Sequence, residues 1–279
     1  MTLTEQERHD IDRANELGRQ PVVLVHGLWL LSSSWDPWRT LIEEHGYVAV
    51  APGWPDDPET VTEGRENPDV FAHKMIGVVT DHYAEAISQL TRKPVLIGHS
   101  FGGLIVQKLA GTGVAAATVA IDAAPFRGVL NVPLTSIRAG APILRNPINR
   151  GRAIALTFEE FTYSWANNLP EAEARNLYDT YHVAASGVPL FQDVLANLNP
   201  FTEAKVDVDN PDRGPLLIIA GEKDNTIPPA ISTASFHHQQ RNSGVTEYLE
   251  IPGRGHSLTI DSGWPDVARA ALNFIQRNI

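Results

Sequence analysis

Short, almost uninterrupted apolar runs punctuate the chain, and each stops at a glycine, a proline or an aspartate. They are Pro21-Val-Val-Leu-Val25, Val48-Ala-Val-Ala51, Pro94-Val-Leu-Ile-Gly98, Thr118-Val-Ala-Ile121 and, much later, Leu216-Leu-Ile-Ile-Ala220. A run that is apolar at every position rather than every second one predicts a strand covered on both faces, as in a parallel sheet between helical layers. Thr246 to Ile251 predicts a further, more polar strand. Helical spacing separates the runs: Trp35 to His45 after a serine cap, then Asp69 to Leu90, with Phe71, Met75, Val79, Tyr83, Ile87 and Leu90 recurring every third or fourth residue. Strand and helix alternate, so the predicted fold class is α/β, a mostly parallel central sheet of about six strands flanked by helices.

The alternation fails between Asp122 and Leu216, where no buried strand is evident. The predicted organisation is therefore a core of residues 21–130 and 213–279, a helical insertion over 131–212, and an N-terminal arm or helix over 1–20. The arm has only Leu3, Ile11, Ala14 and Leu17 to bury. Within the insertion, Thr157 to Asn168 and Glu171 to Val183 read as helices rich in aromatic residues. Two readings stand side by side: an ordinary packed helical pair, or a lid whose inner face presents Phe158, Phe161, Tyr163 and Trp165 to a substrate.

Composition narrows the functional classes. With 43% hydrophobic and 20% charged residues the chain is globular rather than disordered. A formal charge of −11 repels phosphate backbones and anionic lipid, so neither nucleic acid nor a membrane is an expected partner. The absence of cysteine removes disulfides, thiolate catalysis and cysteine-ligated metals. The first residues show neither a basic segment nor an apolar one, so a cytoplasmic location is expected. Asp207, Asp209 and Asp212 do not form a calcium loop, because the glycine at the sixth position and the glutamate at the twelfth are missing. No metal and no cofactor is expected.

The chemistry concentrates in Gly98-His99-Ser100-Phe101-Gly102, which follows a buried strand and precedes the apolar helical stretch Leu104 to Ala110. A serine at such a strand-to-helix elbow is a nucleophile with a helix N-terminus behind it, and its glycine neighbours leave room for the sharp turn. Its base belongs late in the chain on a flexible loop, and His256, in Gly253-Arg-Gly-His256-Ser257, fits. The orienting acid belongs just past the preceding strand. Asp224 is chosen over Glu222, with Asp122 as the runner-up.

The order of these features, His26-Gly27, then the serine elbow, then a late aspartate and a later histidine, resembles the α/β-hydrolase superfamily from Pro21 onward. The stretch His26-Gly27-Leu28-Trp29 to Trp35 is similar to its esterase and hydroxynitrile-lyase branch. The resemblance implies that the backbone N–H groups of Leu28 and Phe101 hold an oxyanion, each contributing roughly 3 kcal/mol to a charged intermediate. Trp29 is then a pocket residue, and His26 and His99 hold their loops. Two departures stand out: Ala51-Pro-Gly-Trp54-Pro-Asp-Asp57 replaces the family's usual loop, and the customary antiparallel strands before His26 are missing. Serine at the elbow argues against dehalogenase and epoxide hydrolase chemistry. Ser257 stands where the lyases carry lysine, and Phe101 is unlike the methionine common in haloperoxidases. The expected activity is hydrolysis of a small-molecule carboxylic ester through an acyl-enzyme. Amidase or lactonase chemistry on the same triad is the alternative within the class, and a ligand receptor with slow or single-turnover hydrolysis is the alternative outside it.

Overall fold

The computed structural model describes residues 2–279. The central sheet contains β1 (Pro21–Val25), β2 (Val48–Val50), β3 (Val95–His99), β4 (Ala117–Ile121), β7 (Leu216–Gly221) and β8 (Thr246–Ile251) in the order β2-β1-β3-β4-β7-β8. Every pairing in it is parallel. β5 (Ala153–Ile154) and β6 (Ala185–Ser186) form a separate antiparallel pair. Successive side chains alternate between the two faces, as a pleated strand requires. Val23, Val25, Leu96, Ala120 and Ile218 enter one core, while Val22, Leu24, Ile97, Val119 and Ile219 enter the other. β1, β2, β3, β4 and β7 are buried on both faces, which is why they read as continuous apolar runs, while β8 at the sheet edge is partly exposed.

The helices are α1 (Glu5–Leu17), α2 (Asp36–Glu44), α3 (Val61–Glu66), α4 (Ile76–Ser88), α5 (Phe101–Ala110), α6 (Leu134–Leu144), α7 (Phe158–Ser164), α8 (Glu171–Tyr181), α9 (Val188–Val194), α10 (Pro229–Gln239) and α11 (Trp264–Asn278). α1, α4 and α5 bury Ile11, Tyr83 and Leu104 on the first face, and α2 and α11 bury Trp38, Ile42, Leu272 and Ile275 on the second. The N-terminal segment is a docked helix. It opens with a reciprocal Thr4–Glu7 cap and is tied to the core by Glu7 against His82 at 2.9 Å and Asp10 against Arg39 at 2.8 Å.

Several helix boundaries differ from the sequence reading. The long helix expected over Asp69 to Leu90 is broken: Pro68–Phe71 makes a 3-10 turn, and the chain passes through His73 at φ +62° before α4 starts at Ile76. A left-handed residue cannot continue a right-handed helix, so its apolar spacing spans two elements. The serine cap expected before Trp35 is absent, because Ser32–Trp35 is itself a 3-10 turn and Ser34 Oγ donates to Leu31 O. α7 stops at Ser164 rather than Asn168, and α8 at Tyr181 rather than Val183.

Register aligns the C-terminal ends of the strands. Val25 pairs with Gly98, His99 with Ile121, Ile121 with Ile219, and Gly221 with Ile251. The loops carrying Leu28, Ser100, Asp122, Asp224 and His256 therefore leave the sheet along one edge. The chain adds β2 on one side of β1 and β3 on the other, so the crevice between β1 and β3 is a topological switch point, where open parallel sheets bind ligands.

Candidate active site

β3 hands over to α5 at Ser100, whose backbone sits at φ +56° and ψ −122°, a region costly for a residue with a side chain. The surroundings hold it there. Its N–H donates to Ile121 O at 3.0 Å and its carbonyl accepts from Ala124 N at 2.9 Å, so β4 and the loop after it clamp the turn. Glycine is compulsory beside it: a Cβ on Gly98 would overlap the Gly102 carbonyl, and one on Gly102 would overlap the Val25 carbonyl. The loop after β1 leans on the serine so closely that a Cβ on Gly27 would lie 2.8 Å from Ser100 Cβ.

That loop is held from behind by the segment that departs from the usual pattern. Trp54 Nε1 donates to His26 O at 3.1 Å, His26 Nε2 lies 3.2 Å from Asp57 Oδ2, and Tyr83 Oη donates to Pro52 O at 2.8 Å. Leu28, next in line, and Phe101, first in α5, have backbone N–H groups that donate to no acceptor among the described residues. Unspent N–H groups on both sides of a serine, one of them at a helix N-terminus, favour a negative oxygen there.

His256 bridges the serine to an acid. Its Nε2 is 3.1 Å from Ser100 Oγ and its Nδ1 is 2.6 Å from Asp224 Oδ2. Asp224 is fixed by the turn it begins: Oδ1 accepts from Thr226 N at 2.6 Å and Ile227 N at 2.9 Å. A carboxylate can only accept, so Nδ1 carries the proton and Nε2 is left to accept from the serine hydroxyl. Ser100, Asp224 and His256 are 5%, 3% and 1% exposed, so water competes little for these bonds. Glu222 points away and accepts from Gly253 N at 2.7 Å.

Asp122 is adjacent but differently placed. One oxygen accepts from Gly221 N at 2.8 Å and the other has no partner among the described residues. Burial, reinforced by the nearby Asp224 charge, holds its carboxyl well above the usual range. Its surroundings thus favour the neutral form, and Asp224 rather than Asp122 faces the histidine. His99 is buried behind His256 with both ring nitrogens unpartnered, and burial, then the His256 charge, holds its basicity well below the ordinary imidazole value. Atoms of His99, Asp122 and His256 lie within 4.8 Å of one another. Both His256 nitrogens are already hydrogen-bonded and Asp122 favours its neutral form, so this donor set suits proton chemistry better than a cation.

A cavity of about 160 Å³ opens beside Ser100 and Phe101. Trp29 lines it, together with Phe126 from the loop after β4, Ile137 and Leu144 of α6, Leu190 of α9, and Ile231. Phe158, Phe161, Tyr163 and Trp165 do not, and their placement as pocket residues is corrected. Phe161 and Trp165 are completely buried, stacked at 5.9 Å, with Trp165 against His256 at 4.7 Å and Phe161 against Tyr178 and His182. Phe158 and Tyr163 lie under Arg175 and Arg138 respectively. Phe161 on α7 and Trp165 just past its end, four residues apart, face inward and form a plug behind the histidine. Of the residues that line the cavity, the sequence singled out Trp29, Ser100 and Phe101 but not those of α6 and α9. Their signal was the spacing of Ile137, Gly140 and Leu144, and of Leu190, Asp193 and Val194, in helices that carry no catalytic motif.

The comparisons with known proteins agree with this architecture. A family model described as alpha/beta hydrolase family matches residues 22–270. The fold superimposes on a monoacylglycerol lipase from Paleococcus ferrophilus with a TM-score of 0.64 and 21% identity, covering 93% of this chain and 95% of that one. A pyrethroid hydrolase from Sphingobium faniae JZ-2 gives a TM-score of 0.62 at 18% identity over 91% and 96% of the two chains. Polyneuridine aldehyde esterase gives 0.61 at 19% identity over 91% and 98%. At these identities the structures speak to fold alone. A sequence search of curated proteins finds no match.

Proposed function

The chain belongs to the alpha/beta hydrolase family, and from that premise we propose that it hydrolyses a small-molecule carboxylic ester through an acyl-enzyme on Ser100. The observation that carries this reading is the unbroken chain from Ser100 Oγ through His256 to Asp224, beside the free N–H groups of Leu28 and Phe101. Ser100 Oγ attacks the ester carbonyl carbon as its proton passes to His256 Nε2. The carbonyl electrons move onto oxygen, where the Leu28 and Phe101 N–H groups receive the charge. As the tetrahedral centre collapses, the imidazolium returns its proton to the departing alcohol, leaving the acyl group on the serine. Water then repeats the steps, giving its proton to His256 and releasing the acid. Asp224 holds the tautomer and offsets the transient imidazolium charge.

The apolar cavity supports an ester with a hydrocarbon-rich acyl or alcohol part as the substrate. α6 and α9 supply much of its wall, and the 131–212 insertion acts as its cap. Among the described residues, no helix is long and apolar enough to cross a membrane. The test is a panel of nitrophenyl and alkyl esters, with amides and lactones beside them, followed over many turnovers. Ester hydrolysis well beyond one product per protein is the predicted result. A burst of one equivalent with no further turnover contradicts the enzyme reading, and a panel in which only amides or lactones react contradicts the ester assignment.

A further inference from the structure

The cavity wall contains one carboxylate with no work inside the protein. On α9 the residues facing the cavity are Leu190, Asp193 and Val194, spaced three and four apart, so Asp193 lies on the same helical face as its apolar neighbours. Apart from Ser136, the other polar side chains of the wall are already engaged. Asn131 donates to Ala230 O, Asn197 donates to Val129 O and accepts from Gly128 N, Ser164 donates to Glu160 O, and Thr226 donates to Ser164 O. The cations at the helix packed against α9 point elsewhere: Arg138 of α6 lies over the Tyr163 ring, and Arg145, just past its end, is 3.8 Å from Glu160. No hydrogen bond or ion pair to the Asp193 side chain is present among the described residues. Asp193 is half-buried by its exposed surface, and the desolvation of its carboxyl against the apolar wall pushes it up to about 8. The Ser136 hydroxyl on α6 also lines the cavity and has no partner among the described residues.

A lone carboxyl in an apolar wall is costly to ionise, and the cost disappears when a cation enters beside it. An aliphatic residue would serve a purely hydrocarbon substrate better at this position. We propose that Asp193 is a specificity-determining residue that selects substrates whose apolar body carries a protonated amine, with the Ser136 hydroxyl as a second acceptor for the same N–H group. The inference rests on the ester-hydrolase reading for the reaction, but not for the binding. It assigns the cavity to cationic, hydrocarbon-rich esters rather than to neutral lipids.

The test compares two matched pairs of compounds in the full chain. One pair is the nitrophenyl esters of a dimethylaminoalkanoic acid and of the alkanoic acid in which an isopropyl group replaces the dimethylamino group, with a parallel pair bearing the amine on the alcohol side. The other is the corresponding methyl ketones, which cannot be hydrolysed and whose binding is followed through tryptophan fluorescence. In the unsubstituted protein, kcat/KM for one amine ester exceeds that of its isostere by about tenfold or more, and ketone Kd values follow the same order. Asp193→Asn, nearly identical in shape, brings both ratios to about one, and Asp193→Leu reverses them in favour of the isopropyl compound. A ratio near one in the unsubstituted protein, or an amine preference that survives in Asp193→Asn, overturns the proposal. If no ester is turned over while the ketones keep their preference and lose it in Asp193→Asn, the amine site stands and the ester-hydrolase reading falls.

Discussion

The indole of Trp165 meets the imidazole of His256 nearly edge to face, with ring centroids 4.7 Å apart and planes inclined at 73°. Trp165 O also accepts from Ser257 N at 3.0 Å, so the residue braces both the ring and the backbone of the histidine loop. On the proposed mechanism it is a positioning residue, acting on the reaction through His256.

Trp165→Leu is predicted to lower kcat by about 10- to 100-fold, because a displacement of around 1 Å at a proton-transferring group has that effect. The order of preference among short and bulky esters stays the same, since Trp165 is not part of the cavity wall. Steady-state kinetics on an ester series checks both. A changed size preference with kcat intact would return Trp165 to the pocket.

Size preference belongs instead to the wall formed by α6 and α9. Leu190 and Leu144 already crowd the same spot: a Cβ on Gly140 would stand 3.0 Å from Leu144 Cδ1 and 3.2 Å from Leu190 Cδ2. Leu190→Ala is predicted to shift the kcat/KM ratio toward bulkier esters by roughly 10-fold, within the range for a few methylenes in an apolar pocket. Measured ratios that do not move place the substrate elsewhere on the sheet edge.

The two buried aspartates have separable roles. Asp224→Asn keeps the shape but presents the wrong hydrogen-bond partner to His256, and kcat should fall by about 10⁴. Asp122→Asn should cost far less, since Asp122 bonds Gly221 N and not the histidine. Asp122 also carries a pH signature. Its folded pKa is raised well above the ordinary 3.8, so the stability it contributes is full below that value and is lost as pH rises through the folded one. Denaturant titrations at pH 7 should therefore find Asp122→Asn no less stable than the parent. Reversed kinetic results would make Asp122 the working acid.

His182 makes the opposite contribution. Burial, then the Arg65 charge, lowers it from 6.5 to about 3, and as a neutral ring its Nε2 accepts from Leu156 N at 3.1 Å. The unfolded chain binds this proton first, so stability present above pH 6.5 is lost as pH falls toward 3. A single group of this kind contributes a slope of at most about 1.4 kcal/mol per pH unit. His182→Gln, which keeps an acceptor, should flatten the acid limb of the stability profile. An unchanged slope would show that His182 does not titrate as a neutral buried ring.

What the sequence discloses follows a physical division. The sheet and the serine elbow are legible because their causes are local: runs buried on both faces, and glycines that a Cβ would turn into collisions. The loops bearing Asp224 and His256 follow the strands whose ends the register aligns, so their positions were readable from strand order. The cavity was not. Phe161 and Trp165 look the same in sequence whether they face a ligand or a histidine, and only the packing of α7 against the His256 loop decides. Asp193 had only its spacing from Leu190 and Val194 to mark it, and an isolated aspartate on a short helix reads as solvated. His73, at a positive φ, breaks a helix that apolar spacing alone would continue.

The most direct measurement is the stoichiometry and site of fluorophosphonate labelling, read by intact mass and peptide mapping, together with kcat on the best ester for the parent and Ser100→Ala. One label per chain at Ser100 is predicted, with labelling abolished and kcat reduced by roughly 10⁵- to 10⁶-fold in Ser100→Ala while the fold persists. A label at another residue, or a folded Ser100→Ala protein that retains more than about a hundredth of the parent activity, where loss of the nucleophile allows far less, would contradict the account.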